Sequence, residues 1–553
     1  MPHNLYLIVK NNINSFYEDK PQNINIELYS SRIFLPFYLL LFRFIFVFKL
    51  NVHIHNPEPL MFKKSLFIVV TVLLQFFISN DSKAQEYFNP GITDALRLSI
   101  SGQIYDARAL AMGNAHSVIN DTYTATLLNP ATLGLARKFT INTSVATNLY
   151  NNDATFLNEP FFSKRTETIL NQAGMIIPLV SDTATNSFVI SLGYNRSKDF
   201  NRVLKFSGFN STNSSLIQDL TSINNYIPKE LLLSYPVFDP GSNEYLGDAT
   251  IFNGNLNQEG YVLEEGGINH WSFGIAYELA YNIFFGASAN YNVGNYLRDG
   301  EFTESDSQNL YNDTLRTIAN DPLTAGFQSF YINDIDDWSF NGFDLRIGVL
   351  YRFFDFIGIG GSVKTPTITS VTENHYFSGR TQFATSFTAE LDTIIENKFT
   401  IQSPYEFTVA ADVNLWILTG TAEITYIDYT QMKFSDGLDV PQRSALNKKI
   451  IDTFTPTFNL KAGAEFRLPF TGLSARAGAM YIPYPIADTP QEFDRIFLTA
   501  GAGIRSGDGA MEFNAAYVYG FWDQVSDDYG SSVQQIYQTI ISQNIVASLT
   551  LRF

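Results

Sequence analysis

The chain has 553 residues, of which 15% are aromatic and only 16% charged, with a net charge of −18 and no cysteine. A soluble domain carries about 25% charged residues, and a mean hydropathy of −0.03 excludes a bundle of membrane helices. The acidic balance argues against nucleic acid as a partner, and the missing cysteine excludes disulfides, thiolate metal sites and thiol nucleophiles.

In chain order, residues 32–50 (RIFLPFYLLLFRFIFVFKL) form an apolar stretch broken by Pro36 and Arg43. It reads either as a membrane anchor or as translated upstream sequence. The second reading is preferred, because a complete export signal starts afresh at Met61. Lys63 and Lys64 give that signal its positive start, residues 65–78 its apolar core, and Ser82-Lys83-Ala84 its small-residue cleavage site. The expected organisation is therefore an upstream extension over 1–60, a signal peptide over 61–84, an N-terminal segment over 85–137 and a barrel over 138–553. Residues 107–134 (ARALAMGNAHSVINDTYTATLLNPATLG) follow neither the strand nor the helix period. They end in Asn129-Pro130-Ala131, where proline fixes φ and asparagine bonds local backbone, the chemistry of a stiff turn.

From Lys138 onward the dominant period is two. Phe139, Ile141, Val145 and Leu149 alternate with polar residues, as do Trp271, Phe273, Ile275, Tyr277 and Leu279. Further sets run through Phe343 to Tyr351, Tyr405 to Val413, Phe458 to Phe466 and Phe513 to Tyr519. Short connections fall near 280–282, 354–355, 416–417, 469–472 and 506–509. Long polar connections fall near 201–267, 298–338, 373–403, 431–455 and 523–541. Short turns alternating with long loops, about fourteen strands and aromatic-rich faces predict an all-β transmembrane antiparallel barrel. Closure is required because every backbone polar group in hydrocarbon must be paired internally. The last strand places Ile545, Ala547, Leu549, Leu551 and Phe553 on one face, and the chain stops on Phe553. A terminal aromatic on an alternating strand resembles the signal read by outer-membrane assembly machinery.

At this point a family resemblance emerges. Residues 94–133 (DALRLSISGQIYDARALAMGNAHSVINDTYTATLLNPATL), with Arg108-Ala109-Leu110, Met112-Gly113-Asn114-Ala115 and Asn129-Pro130-Ala131, resemble the N-terminal region of the FadL-like outer-membrane transporters. These are also called the OmpP1 or long-chain fatty acid transport family, and the form is that common in Bacteroidota. Gly358 to Thr367, Glu423 to Phe434 and Leu498 to Gly520 resemble barrel strands of the same family, so the likeness covers nearly all of the chain after the signal. It implies a fourteen-stranded barrel plugged by an N-terminal hatch and a passive path for hydrophobic ligands, which leave through a lateral opening. It also implies a bacterial outer-membrane location, with lipid, lipopolysaccharide and the assembly machinery as partners. An accessory or structural barrel of a protein secretion system is the alternative.

Asn129, Pro130 and Ala131 are then the hatch turn. Leu110, Met112, Gly113, Val118, Leu127 and Leu128 either line the ligand path or pack the hatch's own core. Arg346, Lys461, Arg476 and Arg495 either hold a ligand carboxylate or, as preferred, form charge ladders with Asp344, Asp412, Glu465 and Glu512 that fix the plug. No enzyme, metal or cofactor is expected. His116, His270 and His375 share no ligand spacing, and Asp334, Asp336 and Asp337 read as a solvated acidic loop.

Overall fold

The computed structural model describes residues 91–102, 106–119, 122–179, 187–222, 226–354, 356–526 and 535–553. The expected upstream extension and signal peptide lie outside the described residues. The N-terminal segment folds into short pieces. Helix α1 (Ile92–Ser99) is capped by Asp94, which accepts from the Gly91 N–H at 2.8 Å. Helix α2 (Ala107–Ala111) is capped by the Asp106 carboxylate, and α3 (Thr124–Leu128) leads into a 3-10 turn, Pro130–Leu135. Nearly every side chain from Asp106 to Leu133 in this segment is buried, which explains the missing amphipathic period: no face meets water.

Twenty strands follow: β1 (Thr140–Phe156), β2 (Glu159–Pro178), β3 (Phe188–Asp199), β4 (Arg202–Asn210), β5 (Tyr235–Phe238), β6 (Tyr245–Ala249), β7 (Leu256–Ala280), β8 (Ile283–Ser305), β9 (Phe327–Phe353), β10 (Ile357–Lys364), β11 (Ile368–Phe383), β12 (Thr388–Gln402), β13 (Glu406–Leu415), β14 (Leu418–Asp428), β15 (Lys433–Asp436), β16 (Pro456–Arg467), β17 (Leu473–Ile482), β18 (Arg495–Arg505), β19 (Met511–Ser526) and β20 (Ile536–Arg552). Apart from the β5–β6 hairpin they form one sheet, in which β3/β4, β10/β11, β12/β13 and β14/β15 are each one wall position with an interruption. The result is a closed antiparallel barrel of fourteen wall strands. β20 closes it by pairing with β1 along nearly its whole length, Thr140 opposite Arg552 and Thr155 opposite Tyr537.

The alternation has a direct physical meaning. Trp271, Phe273, Ile275, Tyr277 and Leu279 all point outward and are exposed, while Ser272, Ala276 and Glu278 between them are buried. Ile347, Val349 and Tyr351 do the same on β9, with Asp344 and Arg346 turned inward. An outward apolar face with a polar interior is what lipid outside and a filled lumen inside require. Among the described residues no helix is long and apolar enough to cross a membrane.

The five short turns lie where alternation placed them. The long connections do not. About half of 298–338 and most of 373–403 is strand, belonging to β8, β9, β11 and β12. The 431–455 stretch holds β15 and helix α6 (Val440–Thr453). The 201–267 stretch holds β4, helices α4 (Leu216–Ser222) and α5 (Ile227–Glu230), the β5–β6 hairpin and the outer part of β7. Its middle packs an apolar cluster, including Phe206, Ile217, Leu231, Phe252 and Phe330, against inward wall residues. Asp334, Asp336 and Asp337 are corrected as well: all three sit on β9. Asp334 and Asp336 face His375 at 3.0 and 2.8 Å, with Arg298 3.0 Å from Asp334.

Candidate functional site: a filled lumen and a gap in the wall

The N-terminal segment touches the inner wall all round. At α2 the contact is backbone on backbone. A Cβ added at Gly463 would stand 2.2 Å from the Met112 carbonyl oxygen, and one at Gly478 2.2 Å from the Gly113 nitrogen. Gly113 itself has φ +62° and donates to the Thr499 hydroxyl at 3.1 Å. Only glycine permits this approach. Gly463→Val is therefore expected to cost about 1–3 kcal/mol by overpacking and to release the segment. Faster proteolysis around residues 106–119 with the barrel itself intact checks this.

Polar contacts tie the remainder. Asn129 accepts from the Ala131 N–H (3.1 Å) and donates to the carbonyls of Ser117 (3.0 Å) and Val349 (3.1 Å), joining two parts of the segment to β9. Pro130 and Ala131 are buried, and Gly286 on β8 lies against the Pro130 carbonyl. Leu110 packs among Met480, Phe497 and Val518 of the wall, and Val118 among Phe284, Leu350 and Ala410. Met112 and Leu128 are also buried, and Leu127 borders a cavity of about 60 Å³.

The inward charges fall into register rows. Arg346, Lys364 and Glu406 lie side by side on β9, β10 and β13, with both cations 3.1 Å from Glu406. Arg346 and the Ser362 hydroxyl also donate to the Leu128 carbonyl. Lys461 sits opposite Glu423 at 2.8 Å, and Glu423 accepts from Ser117. Asp412 pairs with Arg352, whose Nη2 also donates to the Val118 carbonyl at 2.7 Å. Glu465 accepts from Arg108 of α2, Arg467 and Arg476, and Glu512 from Arg505 and Arg552. Asp344 instead accepts from Asn290, Asn292 and Thr367, and Arg495 stacks over Trp522 at 5.0 Å. Sequence reasoning gave no anchoring role to Arg108, Arg352, Lys364, Glu406 and Glu423. Their partners follow from strand register, which periodicity alone does not supply.

The wall is not uniformly zipped. β2 pairs with β3 only where Gln172–Pro178 faces Val189–Asn195. Beyond that point the outer part of β2, residues 159–171, pairs with β1 alone, and β4 pairs with β7 alone. Bulges sit on both sides of the parting. The β1–β2 register shifts at Ser144/Val145, and the β3–β7 register shifts between Arg196 and Lys198. A bulge bends its strand, and β4 leans into the lumen behind β1. Inward-facing Asn152 of β1 donates to the Val203 carbonyl at 2.9 Å, and Phe156 packs against Phe206 with ring centres 4.7 Å apart. The parting begins just above the Tyr194–Trp271 ring pair (5.4 Å), an outward aromatic edge of the kind that marks a lipid–water interface.

Side chains, not backbone, bridge the seam. Arg165 reaches Glu265 and Asn201, Asn201 reaches Glu167, and Asn148 reaches Asp199. On the lumen side the Lys198 ammonium donates to the carbonyls of Arg97 (2.5 Å) and Ile100 (2.8 Å) at the end of α1. A Cβ on Gly102 would stand 1.8 Å from the Ser197 carbonyl oxygen. The cavity beside Leu127 lies here, bordered by Lys198, His270, Asn290 and Asp344.

No family model matches the sequence, and no curated protein does. The fold is similar to solved barrels. The P. putida toluene transporter TodX is 14% identical, covering 81% of this chain and 98% of that one, with a TM-score of 0.49. A Pseudomonas aeruginosa FadL homologue is 12% identical (82% and 99% covered, TM-score 0.47). The Ralstonia pickettii toluene transporter TbuX is 16% identical (81% and 98% covered, TM-score 0.44).

Proposed function

We propose that the chain is an outer-membrane, FadL-like passive conduit for hydrophobic small molecules, long-chain fatty acids or compounds like them, and not an enzyme. The observation that carries this reading is the seam between β2 and β4, where the outer part of β2 lacks a backbone ladder on that side and the lumen lies directly behind. An apolar ligand gains about 25 cal/mol per Å² of apolar surface buried inside. It then leaves sideways into the membrane without crossing water. Residues 85–137 act as the hatch, Asn129-Pro130-Ala131 as its stiff turn, and the inward charges as its anchors. Lipid and lipopolysaccharide surround the wall, and assembly machinery reads the alternating strand β20.

Growth on oleate and uptake of labelled oleate and toluene, compared between a deletion strain and its complemented parent, test the reading. Toluene belongs in the assay because two of the similar barrels are named for it. Unchanged uptake of both in the deletion strain would overturn it, and concurrent loss of surface-displayed proteins would favour the secretion-accessory role. Phe553 donates its N–H to the Phe139 carbonyl at 2.9 Å, and its ring packs 5.9 Å from that of Phe139. Phe553→Ala is expected to lower the amount of folded barrel in the membrane fraction severalfold while leaving uptake per folded molecule unchanged.

A further inference from the structure

Four of the short turns carry large apolar residues at their tips: Tyr281 (73% exposed), Phe354 (73%), Trp416 (75%) and Phe470 (103%). In three of them the aromatic residue itself holds a left-handed backbone: φ is +48° at Phe354, +60° at Trp416 and +65° at Phe470. Hairpin turns ordinarily give such positions to glycine or asparagine, because a Cβ strains there. Asn282 takes that conformation in the fourth turn, beside Tyr281. Strained backbone kept under an exposed apolar ring points to a partner for the ring.

The partner is indicated by continuity. Phe353 and Phe356 flank Phe354, Leu415 and Leu418 flank Trp416, and Leu468 and Leu473 flank Phe470, all of them exposed and running into the outward apolar face. Phe354 packs 4.4 Å from Phe353 and stacks 6.4 Å from Phe356. Among the described residues, no polar belt separates the lipid-facing band from these tips. The turn between β18 and β19 is different. There Ser506, Gly507 and Asp508 form the tip, and Arg505 ends β18. The apolar turns join β7–β8, β9–β10, β13–β14 and β16–β17, an arc centred across the barrel from the β20–β1 junction, with its β7–β8 end two wall strands from the β2–β4 seam.

We infer that this arc of turn tips is a lipid-binding rim, inserted into the headgroup region of the adjacent leaflet, and that it tilts the barrel so that the opposite side, at the β20–β1 junction, rides outward. Aromatic rings favour that interface, and tilt is set by such anchors. The inference rests on the membrane-embedded reading of the barrel.

The test uses the full chain reconstituted in phosphatidylethanolamine vesicles whose acyl chains are brominated near the ester. Emission of the parent minus that of Trp416→Phe isolates Trp416, and the corresponding difference with Trp271→Phe isolates a residue of the lipid-facing band. Expected are strong quenching of both by the brominated lipid and blue-shifted emission from Trp416. A tryptophan introduced as Gly507→Trp in the Trp416→Phe background, where a side chain enters open space, is expected to emit as in water and to be quenched severalfold less. An unquenched Trp271 would overturn the membrane reading itself. A quenched Trp271 with a Trp416 quenched no more than the Gly507→Trp probe would overturn the rim.

Discussion

Glu465→Ala is expected to free the N-terminal segment without opening the barrel. The Glu465 side chain is 2% exposed and faces three guanidinium groups: Arg476 at 2.6 Å, Arg467 at 2.7 Å and Arg108 at 3.1 Å. Removing one partner from a buried ion pair costs about 3–5 kcal/mol, because the remaining charge stays buried without compensation. Here Arg108 of α2 and Arg476 of the wall both lose their Glu465 partner. Glu512 lies 3.7 Å from Arg476 and relieves it in part, whereas Arg108 belongs to the segment and can withdraw. The barrel ladders do not depend on this group, since β16 pairs with its neighbours through backbone.

The outcome should therefore split. Heat-resistant migration of the folded barrel on gels persists, while protease cuts the N-terminal segment. Arg467→Ala is the contrast. Its side chain is 41% exposed, and pairs of that kind are worth about 0–1 kcal/mol. Arg108→Ala should fall between, because Glu465 keeps two other partners. Equal sensitivity in all three variants would mean that the segment is held by packing and not by this network.

What could be read in advance divides along one physical line. Inside the apolar band, each strand has one face in lipid and one in a polar lumen, so period two is strong. Trp271 to Leu279 and Ile545 to Phe553 were legible for that reason, and the short turns followed from where alternation stopped. Above the band the same strands keep their ladders but lose the lipid face. The outer part of β7 turns Gln258 and Glu264 inward and Glu259 outward, so sequence alone reads polar loop. The inward charges were legible as inward for the same reason as the band. Their partners were not: Glu406 meets Arg346 through Lys364 on an intervening strand, and that row exists only once the register is set. The seam left a faint mark. Alternation through Phe188, Ile190, Leu192 and Tyr194 ends at Asn195-Arg196-Ser197-Lys198-Asp199, a polar run in mid-strand where β3 bulges and leaves β2.

That seam carries the second large effect. A full ladder between β2 and β4 would contribute about 0.5–1.5 kcal/mol net per backbone hydrogen bond and would make opening prohibitive. The side-chain bridges that replace it are weak. Arg165 is 26% and Glu265 38% exposed, a class of pair worth about 0–1 kcal/mol. A few such contacts hold the strands together on average and still let them part at little cost, which is the energetic requirement for a wall that passes a ligand sideways. Fixing the seam should therefore abolish passage.

The chain has no cysteine, so Glu167→Cys combined with Asn201→Cys places a unique thiol pair across it. These are residues whose side chains already touch. Joined by a short bis-methanethiosulfonate reagent, this variant is expected to lose ligand uptake at least tenfold and to regain it on reduction. Each single-cysteine variant treated in the same way should be little affected, which separates closure from modification. Raised salt works in the opposite direction, since it screens the Arg165–Glu265 pair and should modestly speed uptake by the parent. If the joined variant transported at the parental rate, the ligand would have to leave by another route. The most direct would be through the N-terminal segment itself, and Glu465→Ala would then raise uptake where closure of the seam had not lowered it.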